Sequence, residues 1–155
     1  MSAKAEGAVD ASIRLVAGPE LRILEVRKDD GAQEIPEGFQ VEFKLDLGLN
    51  RLGANVLGIE LSMQIVNVPG VSIHVVYRSV FEIENPPAEP KALDGALRQI
   101  GGRVAPSLMY PFIREAIVSS LQRALLPTFV PPIVNFATVF DVANLTVPEA
   151  PVASS

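Results

Sequence analysis

Three runs of strict apolar–polar alternation, closed off by prolines and followed only by helical spacing, restrict most tightly what this chain can fold into. In residues 39–47 the odd positions Phe39, Val41, Phe43, Leu45 and Leu47 are apolar, and Gln40, Glu42, Lys44 and Asp46 between them are polar. Successive strand side chains point to opposite faces, so this period of two describes a sheet with one buried face. Leu57, Ile59, Leu61, Met63 and Ile65 repeat the pattern against Glu60, Ser62 and Gln64. A third run puts Val71, Ile73, Val75, Tyr77, Phe81 and Ile83 on one face and His74, Arg78, Glu82 and Glu84 on the other. Residues 49–54 read as one turn, and Val68-Pro69-Gly70-Val71 as a hairpin turn. Upstream, Gly18-Pro19 interrupts shorter alternating pieces in residues 11–27, which predicts a broken edge strand. Residues 28–38 are polar and turn-rich, as a crossover loop would be.

Asn85-Pro86-Pro87 ends the strands. Residues 91–100 predict a short helix, broken or bent at Gly101-Gly102. Residues 107–126 predict the main helix, with Pro106 and Pro111 in its first part, where proline costs least or makes a kink. Its apolar stripe is Tyr110, Ile113, Ile117, Leu121 and Ala124. Pro127, Pro131 and Pro132 impose an extended connection, and residues 136–145 predict a short last helix. Strands first and helices afterwards make an α+β domain with an antiparallel sheet, covered on one side and wet on the other. The expected organisation is a disordered tail at 1–10, one domain at 11–145 and a flexible tail at 146–155.

At 155 residues with 48% hydrophobic side chains, the chain can bury a genuine core. A mean hydropathy of +0.31 leaves apolar surface over. No run of about 18 uncharged apolar residues offers it a membrane, and residues 1–10 lack the basic start and apolar stretch of a secretory signal. The surplus is then buried between subunits or exposed to apolar partners. Cysteine is absent, which removes disulfides, thiolate metal sites and thiol nucleophiles and fits a reducing cytoplasm. A net charge of −5 with 13 scattered Lys and Arg speaks against nucleic acid.

The chemical motifs are weak. His74 is the sole histidine, on the polar face of a strand, and reads as a solvated surface residue. Gly48 to Gly53 has the glycine spacing of a phosphate loop without its Lys-Ser/Thr, and reads as a hairpin turn. Arg114 and Glu115 diverge by about 100° on a helix, so they do not act jointly. Asp29-Asp30 reads as a solvated turn. No catalytic residue, metal or cofactor is expected.

The second half carries a recognisable signature. Residues 106–115, Pro-Ser-Leu-Met-Tyr-Pro-Phe-Ile-Arg-Glu, resemble the segment opening the long helix of the SecB export chaperones. Pro132-Ile133-Val134-Asn135-Phe136 resembles that family's Pro-Val-Asn-Phe element at matching distance, and Phe43-Lys44-Leu45-Asp46-Leu47 its Lys-Leu-Asp-Leu strand. The resemblance implies a four-stranded antiparallel sheet, a long helix and a short C-terminal helix. It also implies a dimer of dimers with helices sandwiched between sheets, a cytoplasmic setting and no catalysis. Family members hold unfolded polypeptides or preproteins in long apolar grooves. By position that groove would be lined by Ile35 and Phe39 from the crossover loop and by Phe136, Val139 and Phe140 from the last helix. For Phe136 a place in the core stands equally open.

The departures from the family bear on partners. Its Phe-Glu-Ala-Pro-Asn signature is replaced by Val26-Arg27-Lys28-Asp29-Asp30. Typical members meet the translocase motor SecA through acids on the wet sheet face, at positions that here read Ile23, Arg27 and His74. Arginine in place of an acid inverts the sign of that contact. Three readings follow: an export chaperone for preproteins, a SecB-like chaperone for another client such as an antitoxin, and a small-molecule-binding or enzymatic domain with a deep closed pocket.

Overall fold

The computed structural model describes residues 12–29, 39–65, 67–124 and 130–149. Four strands, β1 (Ser12–Lys28), β2 (Phe43–Gly53), β3 (Val56–Ile65) and β4 (Val71–Glu84), form one sheet in the order β1-β4-β3-β2. Every pairing is antiparallel. Alternation decides the faces: Leu45, Leu47 and Leu49 stand opposite Met63, Leu61 and Ile59. Ile59, Leu61, Met63, Ile73, Val75 and Ile83 are buried on that inner face.

The first hairpin turns later than residues 49–54 predict. β2 runs on to Gly53 and the turn is Ala54-Asn55, so the glycine pair Gly48 and Gly53 lies in the strand. The apolar period explains this, because Leu49 continues the inner series and is only 6% exposed. Asn55 fixes the turn, accepting from the Ile83 amide at 2.9 Å and donating to the Ile83 carbonyl at 2.7 Å. At the other end, residues 39–42 stay outside the ladder. There the Asn67 side chain takes the Glu42 amide at 2.7 Å and gives to the Gln40 carbonyl at 2.9 Å. Gly70, at φ 72°, makes the second hairpin turn.

β1 lies at the sheet edge, and the interruption expected at Gly18-Pro19 takes the form of a bulge inside one strand. Its pairing with β4 slips at three places between Leu15 and Ile23 and then resumes through Lys28. Pro19 has no amide hydrogen to give a ladder, which an edge strand tolerates. Gly18 has φ 88°, and a Cβ there would stand 2.5 Å from the Arg78 carbonyl oxygen. Only glycine meets both conditions.

Beyond the sheet, α1 (Pro90–Gln99), a π turn (Ile100–Val104) and α2 (Ala105–Arg123) form one continuous helical path. Gly101-Gly102 therefore does not break the helix, and its purpose is close approach. A Cβ on Gly101 would meet Leu49 at 2.8 Å, and one on Gly102 would meet Leu145 at 2.6 Å and Val142 at 2.8 Å. The Ala105 amide donates to the Ile100 carbonyl, the i→i+5 bond of a π turn. α2 packs across β4, β3 and β1, burying Met109, Tyr110, Ile113, Ile117 and Leu121. Each such side chain is worth about 1.5–3 kcal/mol on removal from water.

The expected last helix over residues 136–145 is replaced by turns and one 3-10 turn, Val142–Asn144. Asn135 opens a turn there: its side-chain oxygen takes the Ala137 amide at 3.0 Å, and its carbonyl takes the Thr138 amide at 3.2 Å. Residues 146–149, placed by the sequence in a tail, run beside β2, where the Arg51 amide donates to the Pro148 carbonyl at 2.7 Å. Among the described residues no helix is long and apolar enough to cross a membrane. Residues 1–11, most of the crossover loop, residues 125–129 and residues 150–155 lie outside the described residues.

Gly18→Ala is predicted to lower unfolding stability by about 2 kcal/mol, from left-handed strain and the clash with Arg78. A urea melt reads this directly, and an unchanged midpoint would mean that β1 is not held to β4 at this bulge.

Candidate functional site

The geometry of interest begins on α2. Tyr110 and Arg114 are four residues apart and share one helix face. The Tyr110 hydroxyl donates to the Pro132 carbonyl at 2.7 Å, and Arg114 Nε donates to the Pro131 carbonyl at 3.1 Å. Burial raises the Tyr110 pKa and the nearby Arg114 charge lowers it, with burial the larger effect, so the hydroxyl keeps the proton it donates. The segment from 130 to 136 is thus strapped to the helix. Arg114 serves this tie, and Glu115 does not share it.

The strap delivers Phe136 against Tyr110, edge to face at 5.4 Å between centroids, and Phe140 stacks on Phe136 at 6.1 Å. Phe136 is 3% exposed and belongs to the core. Phe140 is half-buried. Val139 is 42% exposed at the surface. The three are brought together on a turn and not, as the sequence suggested, on a helix. Val139 and Phe140 line a cleft of about 620 Å³ together with Gly95, Arg98, Gln99, Arg103, Asp141 and Val142. Phe39 packs half-buried against the core elsewhere and does not line this cleft. Ile35 lies outside the described residues.

Other apolar side chains reach solvent. On the strap, Ile133 is 89% exposed and Val130 is exposed beside it. On α2, Leu108 and Phe112 are exposed one turn apart, with Phe112 6.1 Å from the Tyr77 ring. Leu21 pairs with Tyr77 across the β1–β4 ladder and is exposed, as are Leu15 and Leu24. Sequence reasoning passed over Ile133 and Val130, although apolar residues spaced among prolines, which cannot join a ladder or helix interior, were a usable signal. It also passed over Arg98 and Arg103.

The three outer-face positions lie together on the wet side of the sheet. Ile23 pairs with Val76, Glu25 with His74, and Arg27 stands opposite Ser72. Arg27 and His74 border a shallow depression of about 330 Å³ with Glu25 and Gln64, and Arg27 lies 4.0 Å from Glu25. No cluster of three or more metal-ligating side chains occurs among the described residues.

Burial separates Phe136 from Val139, both expected from the sequence to line a groove. Phe136→Ala is predicted to cost about 3–5 kcal/mol of stability through the cavity it leaves, whereas Val139→Ser should stay within about 0.5 kcal/mol. Denaturant melts of both variants check the order, and equal losses would contradict the division between core and cleft wall.

No protein-family model matches the chain. The protein-export protein SecB of Cellvibrio japonicus is 30% identical over 131 residues, covering 79% of this chain and 78% of that protein. SecB of Bordetella pertussis is 30% identical over 115 residues, 70% of this chain, which spans 59% of that relative's length. In fold the chain is similar to the Mycobacterium tuberculosis Rv1957 SecB-like chaperone in complex with a ChAD peptide from the Rv1956 HigA1 antitoxin. The TM-score is 0.61 at 14% identity, over 79% of this chain and 88% of the other. Coverage of more than three quarters of both sequences in the Cellvibrio match, together with the shared sheet-and-helix fold, places this chain in the SecB family.

Proposed function

We propose that this chain is a holdase, a chaperone that binds unfolded or precursor polypeptides and keeps them from folding or aggregating. The observation that carries the reading is the open cleft walled by Val139 and Phe140, continuous through Phe140 and Phe136 with the core. An extended apolar segment can exchange water for Phe140 and Val139 there without any change in the fold. The surface around it tolerates many sequences, because its contacts are area and not a fixed set of hydrogen bonds. A fold neighbour solved with a bound peptide supports the same use. The reading needs no catalytic residue, metal or cofactor and places the protein in the cytoplasm.

Self-assembly belongs to the same proposal. The exposed Leu108 and Phe112 of α2, beside Leu21 and Leu24 of β1, form the face that a dimer of dimers would cover. Clients are preproteins kept competent for the translocase. A second reading, service to another client such as an antitoxin without motor docking, draws support from the outer face. Ile23, Arg27 and His74 themselves supply no carboxylate there, and the one beside them, on Glu25, lies 4.0 Å from Arg27, whose charge offsets its pull on a basic partner segment.

Calorimetry with a urea-unfolded precursor is the test, with SecA titrated in parallel. The precursor should bind, and Phe140→Asp should weaken it about tenfold by placing a charge on the cleft wall. SecA binding would favour the export reading and its absence the second one. Failure of the precursor to bind would remove the holdase assignment.

A further inference from the structure

The segment that carries Phe136 to its place holds more apolar side chains than it buries. Val130, Ile133, Val134 and Phe136 follow one another closely in the chain. Phe136 is 3% exposed against Tyr110 and Val134 is half-buried, while Ile133 is 89% exposed and Val130 61%. Hydrophobic burial has no direction of its own, so it does not decide which of the four goes in. An isoleucine taken out of water gains as much as a pair of backbone hydrogen bonds. Something besides apolar contact therefore holds Ile133 out and Phe136 in.

Two directional ties do so. The Tyr110 hydroxyl donates to the Pro132 carbonyl at 2.7 Å, and Arg114 Nε donates to the Pro131 carbonyl at 3.1 Å. Among the described residues these are the hydrogen bonds that join the segment to α2. A slip by one residue moves each carbonyl by roughly 3.3 Å, out of reach of the donor that now holds it. The register is then handed on. Phe140 stacks on Phe136 at 6.1 Å, and Asn135 opens the turn that leads to Val139. Both end in the cleft.

Resting on the holdase reading, we propose that Tyr110 and Arg114 are positioning residues for client binding: they touch no client and set the register in which Phe140 and Val139 line the cleft. Their loss moves the apolar part of the cleft before it unfolds the domain, because the sheet and the buried stripe of α2 do not rest on the strap.

The test pairs client affinity with global stability. Tyr110→Phe keeps the ring against Phe136 and removes one donor, and Arg114→Met keeps an apolar stem and removes the other. A urea-unfolded precursor is titrated by calorimetry, with urea melts and hydrogen–deuterium exchange of the free protein alongside. Tyr110→Phe should weaken binding about threefold and the double variant about tenfold, with faster exchange over residues 133–140. Ile117→Val, a core truncation that removes neither donor, should lower the melting midpoint at least as far and leave affinity unchanged. Unchanged affinity in the double variant, or an equal loss in Ile117→Val, would overturn the positioning role and leave the holdase reading standing. If the wild-type protein does not bind the precursor, both fall together.

Discussion

Pro131 and Pro132 bring carbonyl oxygens and no amide hydrogens, so their segment can be tied down only by donors from elsewhere. Tyr110 and Arg114 are those donors, one turn apart on α2. Two such hydrogen bonds contribute about 1 kcal/mol each, more for the charged one. Burial of Phe136 contributes more than either. The hydrogen bonds matter for placement: they fix which residue of the strap reaches the aromatic pocket and therefore where Phe140 and Val139 emerge. Everything on the cleft's apolar side depends on that register.

The other side depends on close approach. Gly101 lets the helical path settle onto Leu49 and Leu57, and Gly102 lets the C-terminal turn settle onto the helix through Val142 and Leu145. Side chains at either position would push one layer away from the next. The same glycines lie within the π turn that joins α1 to α2, so one dipeptide serves both layers of packing. Opposite this face the sheet is wet, with Arg27 and His74 in a shallow depression. The molecule thus separates the cleft proposed for polypeptide from a surface of different chemistry.

Much of the fold was legible because alternation and burial speak the same language. The residues 57–65 and 71–83 series predicted the buried face correctly, and the α2 stripe through Tyr110, Ile113, Ile117 and Leu121 did likewise. The misreadings came where one residue type serves two purposes. Gly48, Asn50 and Gly53 looked like a turn, but Leu49 between them outweighed them by continuing the core series. Gly101-Gly102 looked like a helix breaker, because conformational freedom and absence of a side chain are indistinguishable in a string of letters. Residues 136–145 had helical spacing of apolar residues, yet they form only a turn after Asn135 and the 3-10 turn Val142–Asn144. For the proposed site, Val139 and Phe140 were expected from family resemblance, while Arg98 and Arg103 escaped because the π turn between them has no signature in the sequence.

The central claim is that an unfolded chain lies in the cleft between the strap-held turn and the α1–α2 junction. Hydrogen–deuterium exchange of the protein with and without an unfolded client locates the contact most directly. The account predicts slowed exchange across residues 137–144 and around Arg103, with residues 23–27 on the outer sheet face unchanged. Protection confined to the outer face, with the cleft exchanging as before, would contradict it.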